Sequence, residues 1–450
     1  MYKIWFCGII KESTQFIPAP GRRKGRRAAV NRKTGFYPAD ILLPKTGLER
    51  WSVVACDQFT SDPDYWREVE ERTEGVPSSA HIIFPEAKLG KVDFEATLRQ
   101  IRREMDRYQQ EDVFRLLPQG MIYVERTFAS GAVRHGILGR LDLEEYDYHT
   151  GSGSLIRATE GTVLDRLPPR AAIREAASLE CPHILTLIDD PACCIVEGLA
   201  AEKDQMELLY HFPLMMGGGS VAGWLLTTGQ QERLMEQLEQ LADPQVFSEK
   251  YGLTGAAPLV YAMGDGNHSL GAAKNCWEKI KETLDPQQRQ THPARYALAE
   301  LGNLHDRSLV FEAIHRVVFG VDHHHFLEAL EKWTASRNGS FSPQRFTLLA
   351  DGQEREMTIP APEHSLTVGS IQRFLDDYLA AYGGTVDYIH GRQTVERLAR
   401  EGAVGLLLPV MDKESLFPAV IQDGALPRKT FSMGEAEEKR YYLECRRILP

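Results

Sequence analysis

Pro258-Leu259-Val260-Tyr261-Ala262-Met263, followed by Gly264-Asp265-Gly266-Asn267-His268-Ser269, reads as a buried apolar strand running straight into a glycine-bearing turn. Ser269 to Thr283 continues with helical composition, so the unit is strand, turn, helix. The first N–H groups of a helix lack partners within the helix, and the helix dipole adds positive potential there. Glycines before the helix let an anion come close to the main chain, which makes such a turn a phosphate-binding candidate. On this reading Gly264, Gly266, Asn267 and Ser269 are candidate phosphate or nucleotide contacts, with His268 a further donor. Asp265 is the candidate base, or a ligand for Mg²⁺ accompanying a nucleotide. The bland alternative is that Asp265 and Asn267 cap a helix while Gly266 supplies a left-handed turn.

The same alternation of short apolar strands and amphipathic helices extends on both sides. Phe94, Leu98, Ile101, Met105 and Tyr108 share one helical face behind Asp93 as N-cap. Gly120 to Arg126 and Val133 to Leu143 read as strands, as do Met206 to Phe212 and Val221 to Thr227 around Gly217-Gly218-Gly219. Thr385 to Ile389, a helix near Thr394 to Arg400, and Val404 to Val410 suggest a βαβ unit. The fold class expected is α/β with a mixed sheet. Residues 36–305 form the core carrying the turn, and 306–450 a smaller C-terminal α/β region packed on it.

Composition restricts the remaining classes. The 450 residues carry a net charge of −11, yet the first 35 hold nine basic residues against Glu12 alone, a local +8. That stretch reads as a basic, disordered tail or an upstream-read start of translation, with a nucleic-acid or membrane-surface arm as the alternative. The acidic body argues against a broad nucleic-acid footprint. No run of about eighteen apolar residues exists to span a membrane. Seven cysteines, an odd number without a Cys-x-x-Cys pair, argue against a disulfide framework and for a reducing, cytoplasmic setting. Cys193-Cys194 reads as a pair of buried structural thiols.

Further candidates lie outside the turn. In the stretch Arg157 to Thr162, Arg157 and Thr159 are candidate phosphate contacts and Glu160 a second candidate base; a surface ion-pair loop is the alternative. Arg134 and His135 alternate within a strand, so one faces each side of the sheet. Asn303, His305 and Asp306 follow the strand Tyr296 to Leu301, where strand ends often line clefts. These five are candidate substrate contacts. His323-His324-His325 reads as a solvated helix start, because adjacent helical residues do not share a face. Lys429 to Gly434 offers cationic and hydroxyl groups that can close over an anion, or simply a loop packed on the body.

Gly264 to Leu270, with Ala272-Ala273-Lys274 behind it, resembles the signature of the prokaryotic domain-of-unknown-function family 1015. Arg134-His135-Gly136, Arg157 to Thr162, Pro182-His183, Asp189-Asp190-Pro191, Asn303 to Asp306 and His315-Arg316-Val317 extend the resemblance from about Phe36 almost to the C-terminus. The turn is also similar, locally, to the phosphate-binding box of the ParB/sulfiredoxin-like superfamily, which includes free-serine kinases. That similarity implies a ParB/sulfiredoxin-like core and a nucleotide whose phosphates rest on the helix after Asn267. Asn267 stands where the box has its first His, and Ser269 replaces its Arg, which removes a bidentate phosphate clamp. The leading expectation is a phosphotransferase or phosphate-ester hydrolase acting on a small metabolite. A non-catalytic, nucleotide-responsive regulator and a ligand-free scaffold are the alternatives.

Overall fold

The computed structural model describes residues 34–149, 151–161, 167–175, 177–181 and 183–450. The basic stretch 1–33 lies outside the described residues, as do Thr162, Arg166 and Pro182.

Among the described residues the larger sheet has ten strands and is mixed. Its order runs Glu207–Pro213, Ser220–Leu225, Ile122–Thr127, Val133–Asp142, Tyr296–Asn303, Leu185–Ile188, Tyr261–Asp265, Ile156–Arg157 and Tyr146–Asp147, with Phe36–Tyr37 also on Val133–Asp142. Leu185–Ile188 is parallel to Tyr296–Asn303 but antiparallel to Tyr261–Asp265, so the sheet changes direction beside the turn. Helices Thr228–Leu241 and Asn267–Glu282 contribute Leu234, Leu238, Leu270, Ala273 and Trp277 to one core against this sheet. Their three- and four-residue spacings set one apolar stripe on each helix. Helix Phe94–Gln110, capped by Asp93 through the Ala96 N–H, buries the stripe expected from sequence in a separate core.

The second sheet, six-stranded among the described residues, is ordered Gln353–Ile359, Gln344–Ala350, Val404–Leu407, Phe311–Phe319 and Thr385–His390, with Phe431–Met433 also pairing Phe311–Phe319. Thr385–His390 and Val404–Leu407 both run antiparallel to Phe311–Phe319 and so parallel to each other. The expected βαβ unit is therefore split, with helix Arg392–Arg400 as its crossover and another strand in between.

The C-terminal segment returns to the first residues of the body. Tyr441–Tyr442 pairs with Val53–Val54, and Arg446–Arg447 with Leu179–Glu180. This register brings together Cys181 and Cys445, 264 residues apart, and the two form a disulfide. The odd cysteine count without a Cys-x-x-Cys pair argued against a disulfide framework, and this one disulfide corrects that reading: count and spacing carry no information about a strand pairing made over that separation. Cys194 is exposed and Cys193 partly so, not the buried pair expected. Among the described residues no helix is long and apolar enough to cross a membrane.

Candidate functional site

The strand Tyr261–Asp265 includes Gly264 and Asp265, so the turn contracts to Gly266 alone, and the helix begins at Asn267. Gly266 has φ 81° and ψ 23°, a left-handed conformation, and a Cβ there would lie 3.2 Å from the Ile184 Cα. Only glycine meets both demands without strain. No side chain caps the 16-residue helix. The Asp265 Oδ1 accepts from the Gly266 N–H at 2.8 Å, and the Asn267 Oδ1 accepts from the Thr159 N–H at 3.2 Å. Both side chains that sequence offered as caps are thus engaged elsewhere.

This first turn opens onto a cavity of about 1070 Å³. Gly264, Asp265, Gly266, Asn267, His268, Ser269, Thr159 and Glu160 all line it. The Thr159 hydroxyl donates to the Met263 carbonyl at 2.6 Å, tying its segment to the strand that ends in the turn. Glu160 accepts from the Lys429 N–H at 3.1 Å. The loop that sequence read as able to close over an anion therefore touches the same cavity, which Lys429, Ser432 and Gly434 also line.

Three groups without a role in the sequence reading complete the site. Lys439 lies 3.4 Å from the Asp265 Oδ2 and donates to the Met433 carbonyl at 2.9 Å. The His183 Nε2 lies 3.5 Å from the Ser269 hydroxyl and 3.8 Å from the Asp57 Oδ2, while its Nδ1 meets the Tyr442 hydroxyl at 2.7 Å. Asp57 follows the short strand Val53–Val54, a strand-end carboxylate like Asp265, and that was the available signal. His183 belonged to a quoted family stretch, but Lys439 had no local signal.

The carboxyls are pushed in opposite directions. Burial raises Asp57, but the facing His183, the Gln58 amide and the cations Arg170 and Lys439 outweigh it and hold it below the usual range. Burial lifts Glu160 above its ordinary value, and the Asp265 charge adds to this against the Lys429 hydrogen bond. Cys56, also on the wall, is pushed up to about 12, chiefly by burial, and stays a thiol. The apolar side chains Ile83, Phe84, Met105 and Ile173 also line the cavity, together with Glu86, Arg170, Arg174 and Glu180. Among the described residues no group of three or more His, Cys, Asp or Glu is placed to hold a metal ion.

The other sequence candidates lie elsewhere. Arg157 is buried and donates to the carbonyls of Ser154, Ala257 and Pro258 at 2.9, 2.7 and 3.3 Å, so its guanidinium is spent on loop backbone. Arg134 and His135 do face opposite sides of the sheet: Arg134 donates to the Glu438 carbonyl at 3.2 Å, and the His135 Nδ1 meets the Asp306 Oδ2 at 3.1 Å. Asn303 donates to the Asp190 carbonyl at 2.9 Å, and the His305 Nε2 lies 2.6 Å from the Asp189 Oδ1. None of Arg134, His135, Asn303, His305 and Asp306 lines the large cavity.

No curated protein matches the chain. Among solved structures it is similar to a mutant free serine kinase in complex with AMP, at 10% identity and TM-score 0.35, over 66% of this chain and 92% of that one. SbnI with C-terminal truncation from Staphylococcus aureus aligns at 12% identity and TM-score 0.31, over 66% of this chain and 82% of that one. A conserved hypothetical protein from Pyrococcus furiosus aligns at 12% identity and TM-score 0.28, over 42% and 75%. Likeness at this level decides nothing about function. The sequence itself is matched over residues 37–378, and the chain belongs to the family described as "Protein of unknown function (DUF1015)".

Proposed function

We propose that this protein is an enzyme that transfers or hydrolyses the phosphate of a small phosphate-bearing metabolite or nucleotide held in the large cavity. The observation that carries the reading is the helix Asn267–Glu282, whose first turn, without a side-chain cap, opens onto a cavity flanked by oppositely shifted carboxyls. The phosphate rests on the N–H groups of that turn, with His268, Ser269 and Lys439 around it. Carboxyls whose environments drive their proton affinities apart suit acid and base roles. Asp57, held ionised, accepts the proton of the attacking hydroxyl or water, and Glu160, which keeps its proton longer, returns one to the leaving oxygen. The apolar lining residues Phe84 and Met105 suit the non-phosphate part of the substrate. Asp265 is already engaged by Lys439 and by the Gly266 N–H. Any Mg²⁺ therefore enters with the nucleotide phosphates and not through a preformed protein cage.

The test is a thermal-shift panel of ADP, ATP, CTP, GTP and pyrophosphate, with and without Mg²⁺, on the wild type and His268→Ala. A ligand at a hundred times its dissociation constant stabilises by about 2.7 kcal/mol, which is readily seen. The expected result is a shift with at least one phosphate compound, reduced in His268→Ala. No shift with any of them sinks the nucleotide reading.

A further inference from the structure

His183 lines the large cavity and is only 5% exposed, so its ring is held in one place. Its Nδ1 lies 2.7 Å from the Tyr442 hydroxyl, and the two rings meet edge to face at 5.6 Å. The Tyr442 O–H donates to the Cys56 Sγ at 3.1 Å, and its oxygen accepts from the Cys56 N–H at 3.2 Å. With the phenolic proton spent on sulfur, the Nδ1 of a neutral His183 is the donor to Tyr442, because two lone pairs facing each other repel. Burial raises Tyr442 well above its ordinary value, so that proton stays on the phenol.

That tautomer leaves the Nε2 as an acceptor, with the Ser269 hydroxyl at 3.5 Å and the Asp57 Oδ2 at 3.8 Å. Ser269 is the third residue of the helix Asn267–Glu282 and lines the cavity. A hydroxyl, a base, and a third group that orients the base form the arrangement that activates a serine. Separations somewhat beyond 3.2 Å are common for such pairs before substrate binds. Asp57, held ionised, offers the counter-charge for the imidazolium that forms when His183 takes the proton. A serine that only holds phosphate has no need of a buried base in this tautomer beside it.

We propose that the phosphoryl group passes through Ser269, with His183 as general base and Tyr442 positioning His183; the step rests on the phosphate reading of the large cavity. The Ser269 Oγ attacks phosphorus and an O–P bond forms, while its proton moves to the His183 Nε2. The bond to the leaving oxygen breaks, and Glu160 supplies that oxygen's proton. A hydroxyl of the acceptor, or water, then attacks the phosphoserine and gives its proton to Asp57. The O–P bond to Ser269 breaks, and the imidazolium returns its proton to the Oγ. The proton gained by Asp57 and the one lost by Glu160 cancel through solvent. The N–H groups at the start of the helix take up the negative charge of the phosphoryl oxygens in both steps.

The experiment treats the full chain with an alkyl fluorophosphonate, which phosphonylates an activated serine with loss of fluoride and needs no knowledge of the natural donor. Peptide mapping by mass spectrometry should place the label on Ser269 in the wild type, and Ser269→Ala should lose it. In His183→Gln the labelling rate should fall about 100-fold, the usual worth of a general base. If His183→Gln fails to fold, the wild-type map still decides. An unlabelled Ser269 in the wild type, or an undiminished rate in folded His183→Gln, overturns the proposal. Thermal shifts with the phosphate compounds but no label discard the nucleophile and leave the phosphate site standing. A label without any thermal shift keeps the nucleophile and discards the nucleotide as phosphate donor.

Discussion

Replacing Asp306 by Asn tests whether the Asn303–Asp306 cluster is structural, as its placement indicates, or a substrate site, as its strand-end position suggested. Its Oδ2 accepts from the His135 N–H at 2.9 Å and meets the ring Nδ1 at 3.1 Å, and its Oδ1 accepts from the Ser308 N–H and hydroxyl at 2.8 and 2.7 Å. Burial opposes ionisation, but these donors outweigh it and bring the carboxyl from 3.8 down to about 2. At about 1.4 kcal/mol per unit, that difference is worth roughly 2.5 kcal/mol of stability. A depressed carboxyl contributes fully above its unfolded value near 4 and loses the contribution as pH falls towards 2. His135 is raised, first by its hydrogen bond to Asp306, so its share is present below about 6.5 and is lost as pH climbs through its folded value. Urea unfolding of wild type and Asp306→Asn from pH 2 to 9 should therefore give a bell-shaped difference, largest near pH 5. A pH-independent remainder from the lost acceptor adds to it. Ligand shifts at the large cavity should be unchanged. A difference that is flat with pH refutes the electrostatic account, and loss of ligand binding in a stable variant refutes the structural one.

Gly266→Ala should destabilise by about 1–2 kcal/mol, because a side chain is forced into the left-handed region, whereas Gly266→Asn should cost less. Equal urea midpoints for wild type and the alanine variant would remove the argument for that turn. Glu160→Gln should be more stable than wild type at pH 8 and indistinguishable at pH 4. A raised carboxyl binds its proton more tightly in the folded state, so wild-type stability falls as pH rises through that window. If the variant is less stable at pH 8, Glu160 is a structural anion and not a proton donor.

Much of the fold was legible because its signals are local. The Asp93 cap, the apolar stripe behind it and the hairpin around Gly217–Gly219 depend on neighbours a few residues apart, and the structure has them where spacing put them. The helix after Gly266 was legible for the same reason, with its start two residues earlier than expected. The split βαβ unit was half legible: its order could be read, but not the strand inserted between its halves. Arg157 and Arg134 were misleading because a guanidinium reads the same whether it faces a ligand or the carbonyls of a buried loop.

What the sequence alone determined is the mixed α/β class and the strand–turn–helix with its glycine at a left-handed position, since backbone sterics and periodicity act within a few residues. What only the tertiary structure decided is the company that turn keeps. Asp57, His183 and Lys439 reach it from separate stretches of the chain, and Cys445 closes on Cys181. These encounters are set by strand register and burial across a return of the chain on itself, and no spacing along the sequence encodes them.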